Sequence, residues 1–89
     1  MIYSLNISTL AGEGLSILKK SEPIAYEKAK KLLKELRQHP RTGSGKPEFC
    51  KYEKKWSRRI NRKHRLVYTI NDAHVVVEVI STWGHYGDK

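Results

Sequence analysis

The stretch that decides the fold runs from Arg65 to Trp83: Arg-Leu-Val-Tyr-Thr-Ile-Asn-Asp-Ala-His-Val-Val-Val-Glu-Val-Ile-Ser-Thr-Trp. Its period is two. From Arg65 to Ile70, Leu66, Tyr68 and Ile70 fall on one side while Arg65, Val67 and Thr69 fall on the other, which predicts a strand. Asn71-Asp72 predicts a hairpin turn, because both residues tolerate left-handed backbone. Val75 to Trp83 predicts a second long strand, whose Val75-Val76-Val77 run is apolar on both sides, as at the centre of a sheet. Gly84 breaks it, leaving the polar tail His85-Tyr86-Gly87-Asp88-Lys89.

Upstream, Trp56 to Ile60 reads as another strand and Asn61-Arg62-Lys63 as the turn that follows it. Arg41 to Pro47 is a loop. Its Gly-Ser-Gly-Lys is no P-loop, since Pro40 stands where the first Gly is needed and Pro47 where Ser or Thr must follow the Lys. Before the loop the period becomes helical. Ala25, Ala29, Leu32, Leu33 and Leu36 recur at i, i+4, i+7, i+8 and i+11, with Ser21 as expected cap, Pro23 in the first turn and Pro40 ending the helix near Gln38. Glu27–Lys31 and Lys31–Glu35 are expected as pairs on its wet side. An earlier helix starts at Ser8 or Thr9, with Leu10, Gly14, Ile17 and Leu18 on its inner face. Ile2 to Ile7 alternates as a first strand with Tyr3, Leu5 and Ile7 inward. The order β, α, α, β, β, β predicts an α+β fold: an N-terminal helical hairpin, residues 9 to 38, packed on one face of a mainly antiparallel twisted sheet.

The chain has 89 residues, which reads as a single domain over residues 1–89. Eighteen Lys and Arg against nine Asp and Glu give a formal charge of +9, which predicts a polyanionic partner: nucleic acid first, an acidic protein second. Eight of the cations, Lys51, Lys54, Lys55, Arg58, Arg59, Arg62, Lys63 and Arg65, crowd a 15-residue stretch with Tyr52 and Trp56 among them. That mixture suits phosphates and stacked bases, although core packing is the expected role of Trp56. No apolar run approaches the roughly 20 residues of a membrane span, and no signal-peptide pattern opens the chain. Cys50 is alone, and four His with one Cys give no metal-ligand spacing, so no metal or other cofactor is expected and the cytoplasm is the default compartment.

With helices on one sheet face, the other is open to a nucleic-acid strand. Cutting RNA without metal needs a base for the 2′-OH, a cation for the pentacoordinate phosphate and an acid for the leaving 5′-oxygen. Glu48, Arg65 and His85 can fill these roles. On composition alone each also has a plainer reading, as a loop acid, a surface strand charge and a terminal residue. Residue chemistry thus yields a basic RNA-binding domain, with cleavage left open.

Four blocks in order go further: Gly43-Ser44-Gly45-Lys46-Pro47-Glu48, Trp56-Ser57-Arg58-Arg59-Ile60, His64-Arg65-Leu66-Val67-Tyr68 and His85-Tyr86. Together they resemble the Txe/YoeB toxins of the RelE superfamily. The resemblance implies a microbial-ribonuclease-like (RelE-like) fold and a bacterial type II toxin that cuts messenger RNA in the ribosomal 30S A site without a metal. It also implies an acidic antitoxin and pairing as a homodimer. By the same motifs Glu48 would be the general base, Arg65 the cation on the transition-state phosphate, His85 the general acid and Tyr86 a substrate-orienting ring. Lys51, Arg59, Lys46 and Arg58 would bind RNA phosphates. Cys50 stands where members usually carry Leu, and Gly87-Asp88-Lys89 extends beyond the His-Tyr pair. Two other readings compete: a non-catalytic RNA-binding module, and a gyrase-targeting toxin of the same fold.

Overall fold

The computed structural model describes residues 2–82. Their elements are β1 (Ser4–Ile7), α1 (Thr9–Ser21), α2 (Pro23–Leu36), β2 (Glu48–Cys50), β3 (Lys55–Arg59), β4 (His64–Asn71) and β5 (His74–Thr82). The five strands form one sheet in the order β1-β5-β4-β3-β2. β1 runs parallel to β5, and every other neighbouring pair is antiparallel. The expected class and layering hold, with one addition: β2 is a three-residue strand directly after the Arg41–Pro47 loop, where the sequence predicts no element.

α2 buries the five residues its periodicity named, Ala25, Ala29, Leu32, Leu33 and Leu36. They pack with Leu66, Tyr68, Val75, Val77 and Ile80 in one cluster. Each large side chain so buried contributes about 1.5–3 kcal/mol. The helix ends at Leu36, two residues before the expected stop.

α1 departs from its expected face. Leu10 and Ile17 are exposed, while Ala11 and Leu18 are buried. The cause is a close approach to β5: a Cβ on Gly14 would lie 2.9 Å from both the Cβ and the carbonyl oxygen of Ile80. Only small residues fit at such a crossing, so the inner stripe centres on Ala11, Gly14 and Leu18, and the larger Leu10 and Ile17 turn outward. Ser8 is the cap. Its hydroxyl accepts from the Ala11 N–H at 3.0 Å and donates to the Glu78 carbonyl, fixing the helix start to β5.

Other expectations shift for local reasons. Ile7, read as inward, is 43% exposed, because it ends an edge strand where the chain turns into α1. Ser21 does not cap α2. Its hydroxyl bonds back to the Ile17 carbonyl at 2.8 Å, and Glu22 takes the capping position without a side-chain bond to the helix. The Glu22 carboxylate instead meets His64 Nε2 at 2.8 Å, tying the helical corner to the start of β4. Glu27 pairs with Lys30 at 3.5 Å, and Glu35, still partly exposed, pairs with Arg58 instead of Lys31. The β4–β5 hairpin pairs Asn71 with His74, so its two turn residues are Asp72 and Ala73, one position later than expected; Asp72 carries the left-handed φ of 56°. Trp56 packs against the core, stacked on Tyr68 at 6.5 Å between ring centroids.

Candidate active site

Strand register sorts the basic segment into two populations, because directly paired residues share a face and neighbours alternate. Trp56, Arg58, Leu66 and Tyr68 point toward the helices. Glu48, Ser57 and the buried Val67 form one row on the face away from the helices, and Arg59 with Arg65 forms the next. Sequence-distant Glu48 and Arg65 come together there. They line one concavity of about 240 Å³ with Cys50, Lys55 and Ser57. Glu48 is exposed at the first position of β2, and Arg65 is half-buried near the start of β4.

Arg59 is exposed at the end of β3, directly across from Arg65. It also lines a neighbouring hollow with Lys46 and Arg62. Lys46 is exposed on left-handed backbone with a φ of 52°, and Lys51 is exposed in the turn after β2. The expected acid His85 and its neighbour Tyr86 lie outside the described residues.

Arg58 corrects the expectation. It is fully buried and turned away from the open face, so it is not placed to bind RNA phosphate. Its Nη1 donates to Glu35 Oε1 at 2.7 Å and to the Ser44 carbonyl at 3.3 Å. Its Nη2 donates to the carbonyls of Thr42, at 2.6 Å, and His39, and its Nε to the Tyr68 hydroxyl at 3.2 Å. Tyr68 in turn donates to the Pro40 carbonyl at 2.6 Å. A buried guanidinium is tolerated only when its donors are satisfied, and here three loop carbonyls and a carboxylate satisfy them. The signal was in the sequence: Trp56 and Ile60 flank Arg58 at i±2, which puts it on the core side.

This network shapes the site from beneath. Burial pushes the Glu35 carboxyl up, but the Ser44 N–H and hydroxyl and the Arg58 guanidinium outweigh it and hold it below the usual range. Tyr68 goes the other way: burial raises its hydroxyl, and Arg58 offsets only part of that. The loop from His39 to Ser44 is thereby clamped to α2 and β3. Gly45 continues the anchoring, accepting from the Arg59 N–H at 2.7 Å. Its φ of 81°, and a carbonyl oxygen 2.9 Å from where a Cβ would stand, leave room for glycine only. Three residues later the chain enters β2 at Glu48.

Lys55 was not singled out from sequence. It meets Glu78 Oε1 at 2.7 Å, and the bond to that carboxylate raises its ammonium above the usual lysine value. Among the described residues, no three His, Cys, Asp or Glu side chains cluster to hold a metal, and no helix is long and apolar enough to cross a membrane.

A helical hairpin on one face of a five-stranded, mostly antiparallel sheet is the architecture of the RelE-like toxins. The comparisons narrow that class. Residues 11–86 match the model of the YoeB-like toxin of bacterial type II toxin-antitoxin systems, and the chain belongs to that family. Toxin YoeB of Escherichia coli K12 is 42% identical over 53 residues, which are 57% of this chain and 63% of that relative; the match thus spans under two thirds of its length. Among solved structures, a YoeB/ParE toxin from Agrobacterium tumefaciens superposes with a TM-score of 0.82 at 25% identity, covering 90% of this chain and 98% of that one. The YoeB dimer from Staphylococcus aureus gives a TM-score of 0.78 at 32% identity, covering 91% and 97%, and that protein is also known in complex with YefM.

Proposed function

We propose that the protein is the toxin of a type II toxin–antitoxin pair, an endoribonuclease that cuts messenger RNA in the ribosomal A site. The observation that carries this is the convergence of Glu48 and Arg65 on one concavity of the open, basic sheet face. In the proposed reaction Glu48 takes the proton from the ribose 2′-OH, whose oxygen attacks the adjacent phosphorus. Arg65 stabilises the added charge on the pentacoordinate phosphate. His85 protonates the departing 5′-oxygen, leaving a 2′,3′-cyclic phosphate and a 5′-hydroxyl, and Tyr86 orients the substrate. Arg59, Lys46 and Lys51 hold flanking phosphates. Thr82 pairs with His64, one residue before Arg65.

The family and the S. aureus complex support an antitoxin partner, and the +9 charge suits an acidic, extended segment laid on the open face. The S. aureus dimer likewise supports self-association.

A toeprint of translating ribosomes tests the reading. The wild type should produce a new mRNA end in the A site. Glu48→Ala should slow the cut by about 10²–10⁴-fold, as expected for loss of a general base. Arg65→Ala should slow it by about 10²–10³-fold. Tight RNA binding with no cut would replace this reading by the binding module, and DNA damage in place of mRNA cleavage would replace it by a gyrase-directed toxin.

A further inference from the structure

The open face carries a third row beyond the two that build the site. Stepping two residues along each strand from Glu48, Ser57 and Val67 leads to Cys50, Lys55 and Thr69. Rows on one face are about 6.7 Å apart, two strand residues, so the Arg59–Arg65 and Lys55 rows are about 13 Å apart at the backbone, and the long side chains of Arg65 and Lys55 close part of that distance where both line the concavity at Glu48. The Arg59–Arg65 row and the Lys55 row therefore flank the Glu48 row on either side.

Lys55 is unlike the other lysines of the segment. Lys51 and Lys54 are exposed in the turn, whereas the Lys55 side chain is only 33% exposed and reaches from β3 across β4 to Glu78 on β5. Glu78 is available there because of a bulge. Val67 pairs with Val79 and Tyr68 with Val77, so Glu78 is the extra residue of β5. Both of its carboxylate oxygens are used: Oε1 meets the Lys55 ammonium, and Oε2 accepts from the Thr69 hydroxyl at 3.2 Å. The ammonium is thus held over the sheet at a set place. An ammonium has three N–H donors, and the bond to Glu78 uses one. Lys55 also lines the same concavity as Glu48 and Arg65.

We infer that Lys55 is a further phosphate-binding residue, holding the backbone phosphate next to the scissile one, and that the Glu78 bulge exists to position it. The inference rests on the ribonuclease reading above and extends it by one subsite. Bound RNA would run across the rows, with the scissile phosphate at Arg65, the 2′-OH at Glu48 and the neighbouring phosphate at Lys55.

The test uses a 2′-O-methyl RNA hexamer, whose blocked 2′-oxygens prevent cleavage, with methylphosphonate replacing one phosphate at a time. The wild type should lose affinity at two adjacent positions above all. Lys55→Met should bind the unmodified hexamer about threefold to tenfold more weakly, lose sensitivity at one of those positions only, and lower the slope of log affinity against log salt by about 0.7. Glu78→Gln leaves the ammonium in place, so it should keep the full salt slope and bind at least as tightly as the wild type. A Lys55→Met profile identical to the wild type overturns the inference, as does a hexamer the wild type does not bind. So does a result in which Lys55→Met and Glu78→Gln lower the unfolding midpoint alike and leave binding alike, since the pair would then be only a strut between strands. The toeprint decides the ribonuclease reading separately: a wild type that cuts in the A site while Lys55→Met leaves the hexamer profile unchanged sinks the subsite alone.

Discussion

The two faces of the sheet treat consecutive arginines in opposite ways. Arg58 turns under the helices, where Glu35, Tyr68 and three loop carbonyls take up its guanidinium. Arg59 turns to the open face beside Arg65, near the Glu48 concavity. In sequence the two are adjacent members of one basic run, and only the alternation of the strand separates them. On the covered face Arg58 holds the loop that leads to Glu48. Cations on the open face are the ones placed to meet a ligand. A charge count therefore overstates the binding surface of this protein, and the excess works as scaffold.

The sharpest way to break that contrast is to remove each arginine in turn. Arg58→Ala leaves Glu35 and three carbonyls without their partner and should cost about 3–5 kcal/mol, read as a lower midpoint in urea denaturation. Arg59→Ala should leave the midpoint nearly unchanged and weaken RNA binding, with a salt slope smaller by about 0.7. If Arg59→Ala unfolds the protein while Arg58→Ala does not, the division of labour is wrong. A smaller effect is expected at the α1–β5 crossing. Gly14→Ala must push the helix from Ile80 and should cost about 1–3 kcal/mol in the same measurement.

The smallest effect expected is the part of the pH dependence that comes from Glu35. Glu35 is held below its ordinary value, which is about 4.3 in an unfolded chain. Its contribution is whole above that value and is lost as pH falls through the folded one, because the unfolded chain takes up the proton first. Urea denaturation from about pH 6 to about pH 3 should show stability falling with pH, and Glu35→Gln should flatten that fall. An unchanged slope in Glu35→Gln would show that the carboxylate is not charged against Arg58 in the folded state.

Much of this was legible in the chain. The α2 face could be read because five apolar residues keep a helical period and nothing competes with it. α1 could be delimited but not oriented: its inner stripe is set by how closely a glycine lets it approach β5, and Leu10 and Ile17 carry the stronger apolar signal while facing outward. β2 is too short to show a period. Glu48 and Arg65 were legible as chemistry and as motif, yet their shared concavity depends on the β2–β3–β4 register. Glu35 looked like half of an i,i+4 surface pair because its true partner is 23 residues away. Lys55 was legible only as one of eight clustered cations, and its pairing with Glu78 was not, because a bulge brings the two together and alternation alone does not reveal a bulge.

The position of β5 has a consequence for the moment at which this protein comes into being. Among the described residues it is the last strand in chain order but lies between β4 and β1, and β1 has no other described neighbour in the sheet. Ser8 at the start of α1 also bonds to it. Contacts between the two ends of a chain close late, since the intervening loop entropy must be overcome first. A nascent chain can build the α2 helix and the β2–β3–β4 meander, but its first strand has nowhere to dock until β5 has left the ribosome. Synthesis itself thus delays assembly of the folded sheet until β5, which follows every other described strand, has emerged.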